Sequence, residues 1–265
     1  MKFNAACLQL TSNNIPKENL ETVLIQSEKA FKEGAQFILT PENTFLLTLD
    51  HKELIDKAED IEQGNQIKEI RKFSKSKKIW FLIGGTPIKI SKGVANRSIL
   101  INPEGNIACH YDKIHMFDVN LPNGEVYKES DKFISGKDLV TADLPWGKIG
   151  LSICYDLRFP NHYRSLVKQG SVFLTVPSAF TKNTGTRHWH TLLKARAIEN
   201  FSYVLAPAQT GKHHNGRETF GHSIIISPDG NILKEKESGV GYIISEIETD
   251  LVKDLRSQIP SLSAD

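Results

Sequence analysis

The chain has 265 residues, 39% of them apolar, and a formal net charge of +2. Charges of both signs are interspersed, which excludes the basic footprint of a nucleic-acid binder and a charged membrane-surface patch. The longest apolar runs, such as 224–226, fall far short of the roughly 20 residues that span a bilayer.

Three cysteines (Cys7, Cys109 and Cys154) form no Cys-x-x-Cys pair, and their odd number does not suit a disulfide framework. The first ten residues read as a strand rather than an export signal. Both features point to a reducing cytoplasm. No stretch reads as a linker, so residues 1–265 are expected to form a single domain.

Residues 3–10 read as a strand. Residues 18–32 follow as a helix, with Leu20, Val23, Leu24, Ser27, Ala30 and Phe31 at helical spacing and Gly34 as its stop. A strand over 36–40 delivers Pro41-Glu42-Asn43. A helix over 65–76 and a strand over 79–84 come next. Strands over 97–102 and 107–111 flank Pro103-Glu104-Gly105-Asn106, a hairpin signal, and Lys113 lies two residues beyond. The polar, loop-rich segment 118–138 carries Glu129. In 148–153, Ile149, Leu151 and Ile153 alternate with smaller residues, as in a mostly buried strand. Cys154 falls at its carboxyl end, where open α/β sheets place their ligands. Pro160 suits the first turn of a helix, Gly170 ends it, and 171–176 is a strand. A helix over 188–200, a strand over 203–207 and a loop over 209–221 with Gly and His follow. A second hairpin (222–227 and 232–234), a strand (240–247) and a helix (250–256) complete the chain.

The two hairpins echo each other. Residues 98–107 and 223–232 match at seven of ten positions, including Pro, Gly and Asn of the turn. Phe37-Ile-Leu-Thr-Pro41 similarly resembles Phe173-Leu-Thr-Val-Pro177. Turn chemistry alone draws hairpins toward these residues. The shared order of elements favours a duplication, and hence two similar half-sheets packed as a sandwich with helices outside.

Glu42 and Cys154 both end strands in equivalent units of the two halves, and Lys113 lies just past a strand end. Singly, each has a bland reading: a packed thiol and two solvated charges. Brought to one edge of the sandwich, they divide a reaction among them. The thiol supplies covalent catalysis, the carboxylate moves its proton, and the ammonium holds an oxyanion.

Three blocks carry a family resemblance: Pro41-Glu42-Asn43, Tyr111-Asp-Lys113-Ile-His-Met-Phe-Asp118 and Cys154-Tyr-Asp-Leu-Arg-Phe-Pro160. In this order they resemble the signature blocks of the nitrilase superfamily of carbon–nitrogen hydrolases. The resemblance implies an α/β, four-layer αββα sandwich with internal pseudo-two-fold duplication. It implies a Glu42, Lys113 and Cys154 triad working through a thioester, with the Tyr155 N–H joining Lys113 in the oxyanion hole and Glu129 in support. It implies a small-molecule amide substrate, no cofactor or metal, and a homodimer, for which Phe159–Leu166 and Trp189–Leu193 are the expected pairing faces. Tyr155-Asp156 after the cysteine is similar to the amidase branches. The segments 177–180, 193–199, 208–214 and 221–223 resemble the branch acting on deaminated glutathione more than the omega-amidases, which act on 2-oxoglutaramate. One departure is His188-Trp-His190, where the branch commonly has His-Trp-Glu. The rival reading outside enzymology is a dimeric scaffold that kept the fold.

His190 and the basic loop residues Lys212, His213 and Arg217 are candidate contacts for a substrate carboxylate. Lys212–Arg217 would have to fold over the mouth of the site. Asp156 and Arg158 read as an ion pair or cap bracing the cysteine turn. His188, His190, His213, His214 and His222 raise a metal site, but His188 and His190 are two apart and leave a helix on different faces, unlike the i, i+4 pair of a zinc helix.

Overall fold

The structure is a computed structural model that describes residues 1–121 and 124–263. Two six-stranded sheets face each other. The first runs, edge to edge, Gly241–Glu248, Lys2–Gln9, Phe37–Leu39, Trp80–Ile90, Gly93–Ile101 and Ile107–Asp112. The second runs Ile232–Lys236, Ser223–Ile226, Tyr203–Ala206, Ser171–Thr175, Gly147–Gly150 and Thr141–Leu144.

The expected duplication is visible in the pairing. Starting from Lys2–Gln9, successive neighbours pair parallel, parallel, antiparallel and antiparallel. Starting from Gly147–Gly150, the series is the same. Each starting strand also takes one antiparallel neighbour on its other side: Gly241–Glu248 in the first sheet and Thr141–Leu144 in the second.

Successive side chains of a strand point to opposite faces, and this sorts the core. Phe3, Cys7, Phe37, Leu39 and Leu82 face the second sheet and pack with Phe173, Val176 and Leu205. Leu8, Ile38, Phe81 and Ile83 face outward and are covered by Leu20 and Val23 of the helix Pro16–Lys32 and by Ile67 and Ile70 of Asn65–Lys77. Leu166 of Pro160–Lys168 and Trp189 and Leu193 of Lys182–Asn200 join the core on the side of the second sheet. Each such side chain contributes about 1.5–3 kcal/mol by leaving water. Among the described residues no helix is long and apolar enough to cross a membrane.

Several elements differ from expectation. The strand Thr141–Leu144 and the helix His51–Lys57 are additional. Segment 118–138 contains a hairpin (Asp118–Asn120 with Val126–Lys128), and 209–221 contains another (Thr210–Lys212 with Glu218–Phe220). The helix expected from residue 188 begins at Lys182, where the Thr181 side chain accepts from the Thr184 N–H. Gly185 weakens the helical signal there, and packing explains it: a Cβ would lie 2.4 Å from the Phe220 side chain. The expected pairing stretches are buried only in part: Phe159, Arg164, Ser165 and Leu192 keep some of their surface. Tyr163, Leu166, Trp189 and Leu193 are all 0% exposed inside the chain's own core, so they offer no apolar surface to a second copy.

Candidate active site

Three chain reversals at one end of the sandwich deliver the chemistry. Glu42 follows the second strand of its half, and Cys154 follows the first strand of the other, so the two are not equivalent positions of the repeat. Asn43 turns the chain with φ 58°. Gly84 lets this turn sit against the second half: a Cβ there would lie 1.8 Å from the Thr40 carbonyl oxygen and 2.4 Å from Pro177 Cβ. Lys113 leaves the strand Ile107–Asp112, and its N–H donates to the Asn96 carbonyl at 3.0 Å.

Cys154 begins a five-residue 3-10 turn in the left-handed region, with φ 49°, a conformation held only where its surroundings enforce it. Its N–H donates to the Pro177 carbonyl at 3.0 Å. Asp156, fully buried, braces the turn by accepting from the Ile153 N–H at 2.8 Å, the Tyr111 hydroxyl at 2.7 Å and the His115 N–H at 3.1 Å. Burial raises the Asp156 carboxyl, but the His115 hydrogen bond, the charge of His162 and the Ile153 N–H outweigh it and hold it below the usual range. The expected cap is therefore present, but Arg158 is no partner of Asp156. Its guanidinium lies 3.3 Å from His188 Nδ1 and over the Tyr155 and Phe180 rings.

Glu42, Lys113, Glu129 and Cys154 converge. Lys113 Nζ donates to Glu42 Oε1 at 2.8 Å and to both Glu129 oxygens at 2.8 Å. Asn96 Nδ2 donates to Glu42 Oε1 at 2.9 Å and the Ala179 N–H to Glu42 Oε2 at 3.0 Å. Glu129 also accepts from the Phe117 N–H at 2.6 Å. The Cys154 thiol lines the same cavity as the Glu42 carboxylate and the Ala179 backbone. Glu42, Lys113 and Cys154 are 3%, 1% and 7% exposed.

Charges this deeply buried must be paired. Burial pushes the Glu42 carboxyl up, but the Lys113 ammonium, its hydrogen bond and the Cys154 thiol outweigh that and leave it below its ordinary value. Burial lowers Lys113, and the carboxylates of Glu129 and Glu42 more than restore it, so it stays cationic. Burial and the Glu42 charge push the Cys154 thiol up, only partly offset by Lys113. The resting site is a neutral thiol beside a charged base. Among the described residues no acceptor takes the Tyr155 N–H, which leaves it free beside the sulfur's own turn.

The cluster lines a cavity of about 360 Å³, within the usual range for small-molecule sites. Its apolar wall includes Leu46, Phe117, Tyr155 and Phe180, and its cations besides Lys113 are Lys128, Lys132, Arg158 and Arg217. Of the expected carboxylate contacts, only Arg217 reaches it. The Arg217 guanidinium donates to the Ala179 carbonyl at 2.5 Å and lies over the Tyr127 ring, while its buried Nε has no partner among the described residues. Lys212 is exposed on the far strand of the hairpin. His213 is buried, held by the Ser12 carbonyl at 2.8 Å and the Thr219 hydroxyl at 2.7 Å. His190 lies outside the cavity, 2.7 Å from Glu235.

Asn96, Lys132 and the cavity-facing role of Arg158 escaped the sequence reading. Asn96 had a signal. The expected hairpin places Ile101 opposite Ile107 and Arg97 opposite Asp112, so the next pair along is Asn96 and Lys113.

Fold and site together define a thiol-centred hydrolase of the αββα class. The carbon–nitrogen hydrolase family profile matches residues 4–257, and the chain belongs to that family. A deaminated glutathione amidase from Synechocystis sp. is 41% identical over 98% of this chain and 97% of its own length. One from Dictyostelium discoideum is 40% identical, covering 95% and 90%. The crystal structure of the Caenorhabditis elegans NitFhit protein superposes with a TM-score of 0.94 at 34% identity, over 100% of this chain and 65% of that one.

Proposed function

We propose that this chain is an amidase of deaminated glutathione, working through Cys154, Glu42 and Lys113. The observation that carries the mechanism is the convergence, in one cavity, of the Cys154 thiol and a buried Glu42 carboxylate that Lys113 neutralises. As sulfur attacks the amide carbonyl carbon, the thiol proton passes to Glu42. The C=O electrons move onto oxygen, and the Lys113 ammonium and the Tyr155 N–H hold that oxyanion. Glu42 returns its proton to the leaving amine as the C–N bond breaks, and a thioester remains. Water then loses a proton to Glu42 as it attacks the thioester, the acid departs, and Glu42 reprotonates the sulfur. Glu129 fixes the Lys113 ammonium and keeps it charged.

Two observations support the substrate. Relatives named deaminated glutathione amidase match along nearly the whole chain. Deaminated glutathione also carries a carboxylate at each end, and Arg158, Arg217 and Lys132 line the cavity. Hydrolysis yields 2-oxoglutarate and cysteinylglycine. We further take the chain as one domain acting in the cytoplasm as a homodimer. A monomeric mass by light scattering at micromolar concentration overturns the dimer.

The test is a paired assay of deaminated glutathione and 2-oxoglutaramate, scoring 2-oxoglutarate and ammonia separately. The first is expected to win by at least about tenfold in kcat/KM, or roughly 1.4 kcal/mol of differential transition-state binding. A preference for 2-oxoglutaramate, with ammonia released, reassigns the substrate.

A further inference from the structure

We propose that His190, His222 and Glu235 form a binding site for a divalent transition metal of the zinc type, separate from the catalytic cavity. The helix Lys182–Asn200 brings His190, the residue before the strand Ser223–Ile226 is His222, and Ile232–Lys236 brings Glu235. His190 Nε2 and His222 Nδ1 lie 2.7 and 2.6 Å from the same carboxylate oxygen, Glu235 Oε1. All three donor atoms lie within 4.8 Å of one another. Tetrahedral zinc bonded at about 2.0–2.1 Å sets its donors roughly 3.3 Å apart. The carboxylate therefore retreats by well under 1 Å to admit an ion. Each imidazole carries its proton on the other ring nitrogen when the metal takes its lone pair, so no net proton need be lost.

The chemistry of the set suits such an ion. Two neutral imidazoles and one carboxylate give borderline nitrogen donors and a single negative charge. The side chains are 34%, 22% and 22% exposed, so an ion can enter and water can complete the coordination. The rings are also held in place. The Phe220 ring stacks on His222 at 4.1 Å and meets His190 edge-on at 6.0 Å. Trp189 Nε1 donates to the His222 carbonyl at 2.8 Å, and His222 itself is held at φ 57°. The other such cluster among the described residues, His115, Asp156 and His162, has none of this freedom. Its carboxylate is fully buried and already accepts from two backbone N–H groups and a tyrosine hydroxyl.

The probe is zinc chloride added to the tag-free full-length protein, followed by calorimetric titration and by thermal unfolding. One ion per chain is expected, with an unfolding temperature that rises with zinc concentration, because an ion bound only by the folded state stabilises by mass action. His190→Gln and Glu235→Gln should each weaken binding at least about tenfold, the range lost when even an outer-shell partner goes. Cys154→Ala should bind as the parent does, and a chelator should lower the unfolding temperature but leave kcat unchanged. Zinc binding that survives both substitutions, that disappears with Cys154→Ala, or that raises no unfolding temperature overturns the site.

Discussion

A buried ammonium shared by two carboxylates makes Lys113 both a chemical and a structural residue. Lys113→Ala is expected to lower kcat by roughly 10²–10³, as for other oxyanion donors. It also leaves the buried Glu42 and the half-buried Glu129 without their counter-charge, an effect of about 3–5 kcal/mol when one partner of a buried pair is removed, so the unfolding temperature should fall too. Cys154→Ala separates the two roles. It removes a small side chain that carries no charge at rest, so turnover should vanish while circular dichroism and unfolding temperature change little; near-normal hydrolysis by this variant removes the mechanism. The pH profile follows from Glu42. Its folded value lies below the ordinary 4.5, so the base stays charged and the acid limb of kcat/KM should fall below that pH. By linkage the same carboxylate stabilises the fold above about 4.5 and loses that contribution as the pH drops through its lowered value. An acid limb near 6 would mean that a histidine, not Glu42, controls the rate.

The hairpin Thr210–Lys212 with Glu218–Phe220 holds Arg217 in the cavity wall, and His213 anchors it. Burial lowers His213 from 6.5 to about 4. Below 6.5 the unfolded chain binds a proton that the folded chain refuses, so stability from this group is complete above about 6.5 and declines toward 4, by up to roughly 3 kcal/mol. His213→Ala should loosen the hairpin, raise KM for a dicarboxylate substrate more than it lowers kcat, and flatten that part of the stability curve; an unchanged KM would detach the hairpin from substrate binding. The turn holding Glu42 is equally exacting. Gly84→Ala drives a Cβ into the Thr40 carbonyl, so loss of both soluble protein and activity is expected on expression. These elements also show what was legible in the chain. Long amphipathic pieces such as Pro16–Lys32 and the alternating strands announced themselves by periodicity. Thr141–Leu144 and His51–Lys57, at 4 and 7 residues, are too short to establish a period, and the 209–221 hairpin is hidden because His213 and Thr219 are polar residues buried against each other. Glu42, Lys113 and Cys154 could be found because their types fit one reaction. Lys212 and His190 could not be rejected from sequence, since a basic residue looks the same whether the fold turns it toward a cavity or away.

At the scale of the molecule, the two halves hold each other's parts. Glu42, Lys113 and Glu129 come from the first half and Cys154 and Ala179 from the second. Gln209 Nε2 donates to the Glu42 carbonyl at 3.0 Å and to the Ser12 hydroxyl at 2.8 Å. The late strand Gly241–Glu248 lies against the early strand Lys2–Gln9 along its whole length. Cleaving the chain between the exposed Lys137 and Asp138 should therefore give two pieces that are each inactive and that regain hydrolysis when co-expressed; activity in either piece alone would contradict the shared site. The same division orders events during synthesis. The base and the cation leave the ribosome before the nucleophile, and the strand Gly241–Glu248 that closes the first sheet leaves after all three. A chain cut short before Cys154 is thus expected to be chemically silent, holding the base and the cation but no nucleophile.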